Sequence, residues 1–290
     1  MQYFADQVIS GIAVGAIYGL VAMGFALIYK STGLLNFAQG EMSMMTAYFA
    51  WTISTLVPGN LWLVVIGALV CAILFGLFIE RVVMRPMLGE PIFATVMVTI
   101  ALAVILRSVI LLIWDPYPHE LNLGAGRTIV QVGGTRLRTV QIAVILALLG
   151  MSALIWAFFK FSRIGKAMRA VASDERAAQL MGISAARIHA IAWMGSSAIA
   201  GIAGIFFAMI YNVSPTLYDV GLKSFPATIL GGLDSVLGSG FSGIILGVAE
   251  NLAAGYLTPT MKEIVGFIVI IAVLMIRPFG LFGERDIERV

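Results

Sequence analysis

The chain has 290 residues, 60% of them hydrophobic and only 11% charged, with a mean hydropathy of +1.01. A soluble domain carries about 25% charged residues, so an ordinary soluble enzyme is excluded, and a net charge of +3 gives no footing for nucleic acid. The composition is that of an all-α polytopic membrane protein, read here as one transmembrane domain over residues 1–290.

Residues 7–29 hold no charge and make the first span. Asp6 precedes it without a basic leader or a small-residue cleavage site, so it reads as a retained helix. Within it, Gly11, Gly15 and Gly19 at four-residue spacing suit close helix packing. Residues 42–79 are also uncharged but too long for one helix, and Pro58, Gly59 and Asn60 break them into spans two and three. Cys71, the single cysteine, allows no intrachain disulfide and no cysteine-based metal site. Residues 91–114 form a fourth span with Arg107 inside it. The 115–138 loop that follows alternates from Arg127 to Arg138 and turns at Gly133 and Gly134, which predicts a small β-hairpin.

Residues 139–159 form a fifth span and 189–211 a sixth, joined by a polar connection over 160–189. Beyond them, 225–233 is apolar but short, 238–257 is long enough with Glu250 inside, and 259–276 is entered through Lys262 and Glu263. With the short segment as a discontinuous crossing, the pattern predicts about eight transmembrane helices, to within one either way, in pseudo-repeated halves. Twelve of the eighteen Lys and Arg residues, including Lys30, Arg81, Arg85 and all those of 160–189, fall on one side of this arrangement. The positive-inside rule makes that side the cytoplasm, with the N-terminus outside, the C-terminus inside and 115–138 as an outer loop.

Two stretches, 31–41 and 225–240, interrupt apolar sequence with Gly, Asn, Asp and Ser. Broken helices at membrane depth survive only where buried in protein or lining a watery cavity. Paired interruptions in corresponding halves point to a transporter's substrate path. Asn36, Gln39, Thr46, Thr228 and Ser235 would offer neutral hydrogen bonds along it, beside Gly231 and Gly232. Glu41, Arg107 and Glu250 are the ionisable residues at membrane depth, and Glu250 beside Asn251 suits a pathway or inter-subunit role. His119 and His189 lie far apart, so they make no metal site.

The 160–189 connection predicts a short docking helix. Ser173 is a candidate N-cap, Asp174 and Glu175 suit the positive end, and Gly182 suits the left-handed position that ends it. Ser184 then caps span six. Gly165, the Arg169-Ala170 pair, Asp174, Ala178 and Met181-Gly182-Ile183 resemble the cytoplasmic-loop signature of the branched-chain amino acid ABC permease family. The run 33–48, the run 229–240 with Gly247 and Glu250-Asn251, and the ending 277–283 resemble that family's other motifs, in order. One departure is Gln39, where many members carry His.

The resemblance implies a permease subunit of an importer in a bacterial inner membrane. It implies a second, related permease chain (a heterodimer), two ATPase subunits that bind the ATP, and an extracytoplasmic substrate-binding protein. This chain then holds no cofactor and is not an enzyme. Gly165, Arg169, Ala170, Asp174, Ala178, Met181, Gly182 and Ile183 would couple it to the ATPase. The residues themselves carry no phosphate loop, because Lys160 stands where the first Gly is needed and Ala167 where Ser or Thr is needed. A permease for urea, short amides or another small solute on the same scaffold is the alternative. An ion-coupled secondary transporter would want more acidic or His residues inside the spans than Glu41 and Glu250.

Overall fold

The computed structural model describes residues 2–121, 123, 128–132 and 135–283. Its helices are α1 (Gln2–Thr32), α2 (Gln39–Leu56), α3 (Leu61–Ile79), α4 (Ile92–Ile113), α5 (Thr139–Phe161), α6 (Arg163–Ser173), α7 (Glu175–Leu180), α8 (Ala185–Tyr211), α9 (Asp219–Gly231), α10 (Val236–Tyr256) and α11 (Met261–Ile276). The break at 58–60 falls where the turn residues demand it. Asn60 caps α3 by accepting from the Leu63 amide at 3.2 Å.

Six helices are long and apolar enough to cross a bilayer: α1, α3 with its extension to Met87, α4, α5, α8 and α10. Helices α1 and α10 run antiparallel, as two hydrogen bonds at opposite ends of α1 show. Tyr3 Oη donates to the Gly255 carbonyl at 3.0 Å, and Lys30 Nζ donates to the Asp234 carbonyl at 2.9 Å. With α2, α9 and α11, which cover the remaining apolar segments of the sequence, nine helices of the described residues make up the bundle, in keeping with an expected count of about eight.

Helix α1 is the central post. Every residue from Ala13 to Ile28 is buried. Its glycines Gly11, Gly15 and Gly19 lie against Gly240, Gly243 and Gly247 of α10 in antiparallel order. A Cβ at Gly15 would come within 2.7 Å of the Ile244 Cα, so the two backbones touch. The outer helices do the reverse. On α3, Trp62, Ile66, Val70, Leu74 and Phe78 form an exposed stripe at four-residue spacing. Similar apolar residues are exposed on α4, α5 and α11. A continuous apolar exterior is stable only against hydrocarbon.

The hairpin expected in the 115–138 connection forms from β1 (Ile129–Val132) and β2 (Thr135–Arg138), antiparallel with Val132 opposite Thr135. Its turn at Gly133 and Gly134 and Arg127 lie outside the described residues. The start of the same connection is pinned to the end of α8, where His119 and Val213 exchange backbone hydrogen bonds of 2.8 Å.

Candidate functional site

The two interruptions meet inside the bundle. Residues 33–38 leave the end of α1 and climb back into the interior before α2 begins. The linker after α8 does the same from the other face, entering α9 through a 3-10 turn at Pro215–Tyr218. They touch at Gly40 and Gly221, where a Cβ on Gly221 would lie 2.6 Å from the Gly40 Cα. Only glycine permits two backbones at that separation.

Backbone freed by the first break is held by side chains. Asn36 Oδ1 accepts from the Ala38 amide at 3.1 Å, and its Nδ2 donates to Gln39 Oε1 at 3.0 Å. Gln39 Nε2 donates to Ser196 Oγ at 2.9 Å, and that hydroxyl reaches the Gly24 carbonyl at 2.8 Å. The network is fully buried and ties the break to α1 and α8. Gly24 belongs to it by omission, because a Cβ there would collide with the Gln39 amide nitrogen. Ser196 has no distinguishing sequence context, and only the fold reveals it.

Glu41 lies one residue past the contact of the two breaks. Arg107 Nε donates to its Oε1 at 2.7 Å, and the guanidinium stacks 3.5 Å from the centre of the Tyr218 ring. The sequence gives Arg107 no partner; the structure supplies Glu41. The available signal was sign alone, since these are opposite charges at membrane depth and such charges pair. Phe25, Phe37 and Phe225 close around the pair, leaving a cavity of only about 40 Å³.

The remaining pathway candidates fall elsewhere. Thr46 and Thr228 donate to carbonyls of their own helices, those of Met42 and Ser224. Ser235 caps α10 by accepting from the Gly238 amide at 3.2 Å. Gly231 and Gly232, expected beside the path, leave no open space around them. A Cβ on Gly231 would lie 2.5 Å from the Gly238 carbonyl carbon, and one on Gly232 would lie 2.6 Å from the Gly283 amide nitrogen. Gly232 also needs glycine for its φ of 100°. Glu250 accepts from Tyr18 Oη at 3.1 Å, and the neighbouring Asn251 Nδ2 is buried with no partner among the described residues. Within this chain the ten candidates therefore form separate clusters rather than one lining, because α1 fills the centre of the bundle.

The polar connection between α5 and α8 forms two helices. α6 was not foreseen. Its Gly165, Met168 and Val171 are buried along one face, Arg163, Lys166 and Arg169 are exposed on the other, and Ser162 caps it. Arg169 Nη1 donates to the Phe159 carbonyl at 2.8 Å, and Gly165 lets α6 fold tightly back on α5. Ala170 is exposed.

The docking helix is α7, and its cap differs from expectation by one residue. Ser173 ends α6, while Asp174 caps α7 by accepting from the Ala177 amide at 2.9 Å. Two helices meeting at one residue leave Ser173 no room to cap. At the other end Gly182 takes φ 83°. Its amide donates to Gln179 O at 2.9 Å and the Ile183 amide to Ala178 O at 3.0 Å, the paired bonds of a Schellman motif. Ala178 and Ile183 pack beneath it with Met168 and Ala185. Leu180 and Met181 instead project at 89% and 83% exposure. Ser184 sits at the start of α8, although its side chain makes no capping hydrogen bond.

An apolar exterior, opposed interruptions at membrane depth and a capped helix held outside the bundle define a membrane transport protein of the permease class. The family model for the branched-chain amino acid transport system permease component matches residues 7–274, and the chain belongs to that family. It is 33% identical to the high-affinity branched-chain amino acid transport system permease protein LivH of Escherichia coli (strain K12), over 99% of this chain and 98% of the relative. The LivH of Salmonella typhimurium gives the same identity and coverage. BraD of Pseudomonas aeruginosa, also named a high-affinity branched-chain amino acid transport permease, is 30% identical over 100% of this chain and 99% of its own length.

Proposed function

We propose that this chain is the translocating subunit of an ATP-driven importer of branched-chain amino acids. It works beside a second, related permease chain, two ATPase subunits that bind the nucleotide, and an extracytoplasmic binding protein. The observation that carries this reading is the end-to-end likeness to permeases of that name, joined to two interrupted helices that meet inside the membrane. Asn36, Gln39 and Glu41 hold the first interruption, and Thr228, Gly231, Gly232 and Ser235 belong to the second. Glu250 and Asn251 face a substrate path completed by the partner permease, and the unpaired Asn251 amide supports that role. Proteoliposomes carrying the reconstituted complex should accumulate leucine only with ATP and the binding protein, and the isolated chain should turn over no nucleotide. Turnover by the chain alone, or uptake of urea in preference to leucine, would overturn the assignment.

The face bearing Lys30, α6, α7 and Arg277 is the cytoplasmic one, on the strength of its excess of basic residues. A cysteine placed at Leu123 should then react with an impermeant reagent in whole cells, and labelling of Ala172 under those conditions would reverse the orientation.

In this reading α7 is the contact with the ATPase, and the exposed Leu180 and Met181 seat on it. Capped at both ends, the helix is a rigid rod that passes ATP-driven motion to α8. Gly182→Val should strain the left-handed turn by roughly 1–2 kcal/mol and misorient the rod. Transport should fall more than ATP hydrolysis, measured on the same reconstituted complex. Equal losses in both would mean that Gly182 serves assembly rather than coupling.

A further inference from the structure

Three cations converge on a groove at the end of the bundle that holds Lys30, bordered by Ser235 at the α10 cap but apart from α7 and from the contact of Gly40 with Gly221. The groove has a volume of about 350 Å³ and lies between the last turn of α5, the first turn of α10 and α6. Lys30, Lys160 and Arg169 border it, and Trp156, Val236 and Leu237 supply its apolar wall. Among the described residues no carboxylate lines it. The nearest acid along the chain, Asp234, borders a neighbouring cleft, and its backbone carbonyl accepts from Lys30.

Each cation is held in place with donors to spare. Lys30 Nζ uses one on Asp234 O and lies 5.7 Å from the centre of the Phe159 ring. Arg169 uses one on Phe159 O at 2.8 Å. Lys160 has no carboxylate partner among the described residues, and its ammonium rests 4.4 Å from the Trp156 ring centre. An ammonium offers three donors and a guanidinium five, so several N–H groups remain for an anion with multiple oxygens. Outside the groove, Leu154 and Phe161 of α5 are exposed and apolar.

A cluster of positive charge adjoining an apolar membrane-facing wall matches one ligand chemistry at both ends, a phosphodiester headgroup with an acyl chain. We propose that this groove binds an anionic phospholipid, its phosphate among Lys30, Lys160 and Arg169 and its acyl chain along α5. A soluble phosphate would leave the Trp156 and Leu237 wall unused, and a zwitterionic lipid would bring a second cation against three already present.

The test is native mass spectrometry of the delipidated complex titrated with phosphatidylglycerol or phosphatidylcholine. The parent protein should retain phosphatidylglycerol preferentially. K160Q and K30Q should each lower that retention about fivefold, K160R should preserve it, and thermal melting should confirm that the variants are folded. Equal retention of the two lipids, or undiminished retention in both Gln variants, would overturn the proposal. Displacement of phosphatidylglycerol by inorganic phosphate would reassign the groove to soluble anions. Loss of a co-purifying subunit from K160Q with lipid retention intact would reassign it to a protein partner.

Discussion

Gly15→Leu is expected to abolish the folded state of this permease. The new Cβ would fall 2.7 Å from the Ile244 Cα, and the atoms it meets are backbone, which no rotamer change can move aside. Helices α1 and α10 would have to separate along the Gly11, Gly15 and Gly19 seam. That seam organises the central post, whose residues from Ala13 to Ile28 are all buried. The loss should exceed about 4 kcal/mol, an exceptional size for which overpacking is one of the few causes. Gly150 on α5 is the matched control, because nothing lies within 4 Å of a Cβ there. Monodisperse yield and thermal unfolding in detergent should collapse for Gly15→Leu and hold for Gly150→Leu. Equal behaviour of the two would mean that α1 and α10 do not touch.

The second large effect lies in the intramembrane ion pair, and it is asymmetric. Glu41 is 2% exposed, whereas the Arg107 side chain is 37% exposed. Arg107→Gln leaves a carboxylate stranded in the interior, which costs about 3–5 kcal/mol when a buried pair loses one member. Glu41→Gln leaves a long, partly open cation that can swing outward and keep its place over Tyr218, so its cost should be smaller. The double variant Glu41→Gln/Arg107→Gln removes both charges and should recover most of the stability lost in Arg107→Gln. Melting temperatures of the four proteins decide the matter. A double variant no more stable than Arg107→Gln alone would show that the pair's worth is geometric rather than electrostatic. Uptake measured beside stability would then tell whether the pair also serves the path where Gly40 meets Gly221.

Much of this architecture is legible in one dimension. The hydrophobic runs gave α1, α3, α4, α5, α8 and α10 within a few residues, and Pro58, Gly59 and Asn60 placed the break between α2 and α3. Gly182 declared the end of α7 because only glycine takes its φ of 83° without strain. The paired interruptions were visible for the same kind of reason, since Gly, Asn and Ser have no cause to stand in lipid.

Other features were hidden by the solvent itself. In water a helix shows which face is inside, because its other face is polar. In hydrocarbon both faces are apolar, so α1 and α4 look alike in sequence although one is the buried post and the other lies open to lipid. Periodicity therefore could not say that α1 would crowd the ten pathway candidates into separate clusters, or that the glycines at 231 and 232 fill close contacts instead of leaving space. Partnerships were equally out of reach: Glu41 with Arg107, Gln39 with Ser196, and Tyr18 with Glu250 join residues far apart in the chain. By itself the sequence determined which long apolar helices form, where they break and which end is basic, because those depend on local hydrophobicity, turn residues and charge. Only the tertiary structure decided which helix stands at the centre and which buried polar groups satisfy one another, because long-range packing alone sets those pairings once every face is apolar.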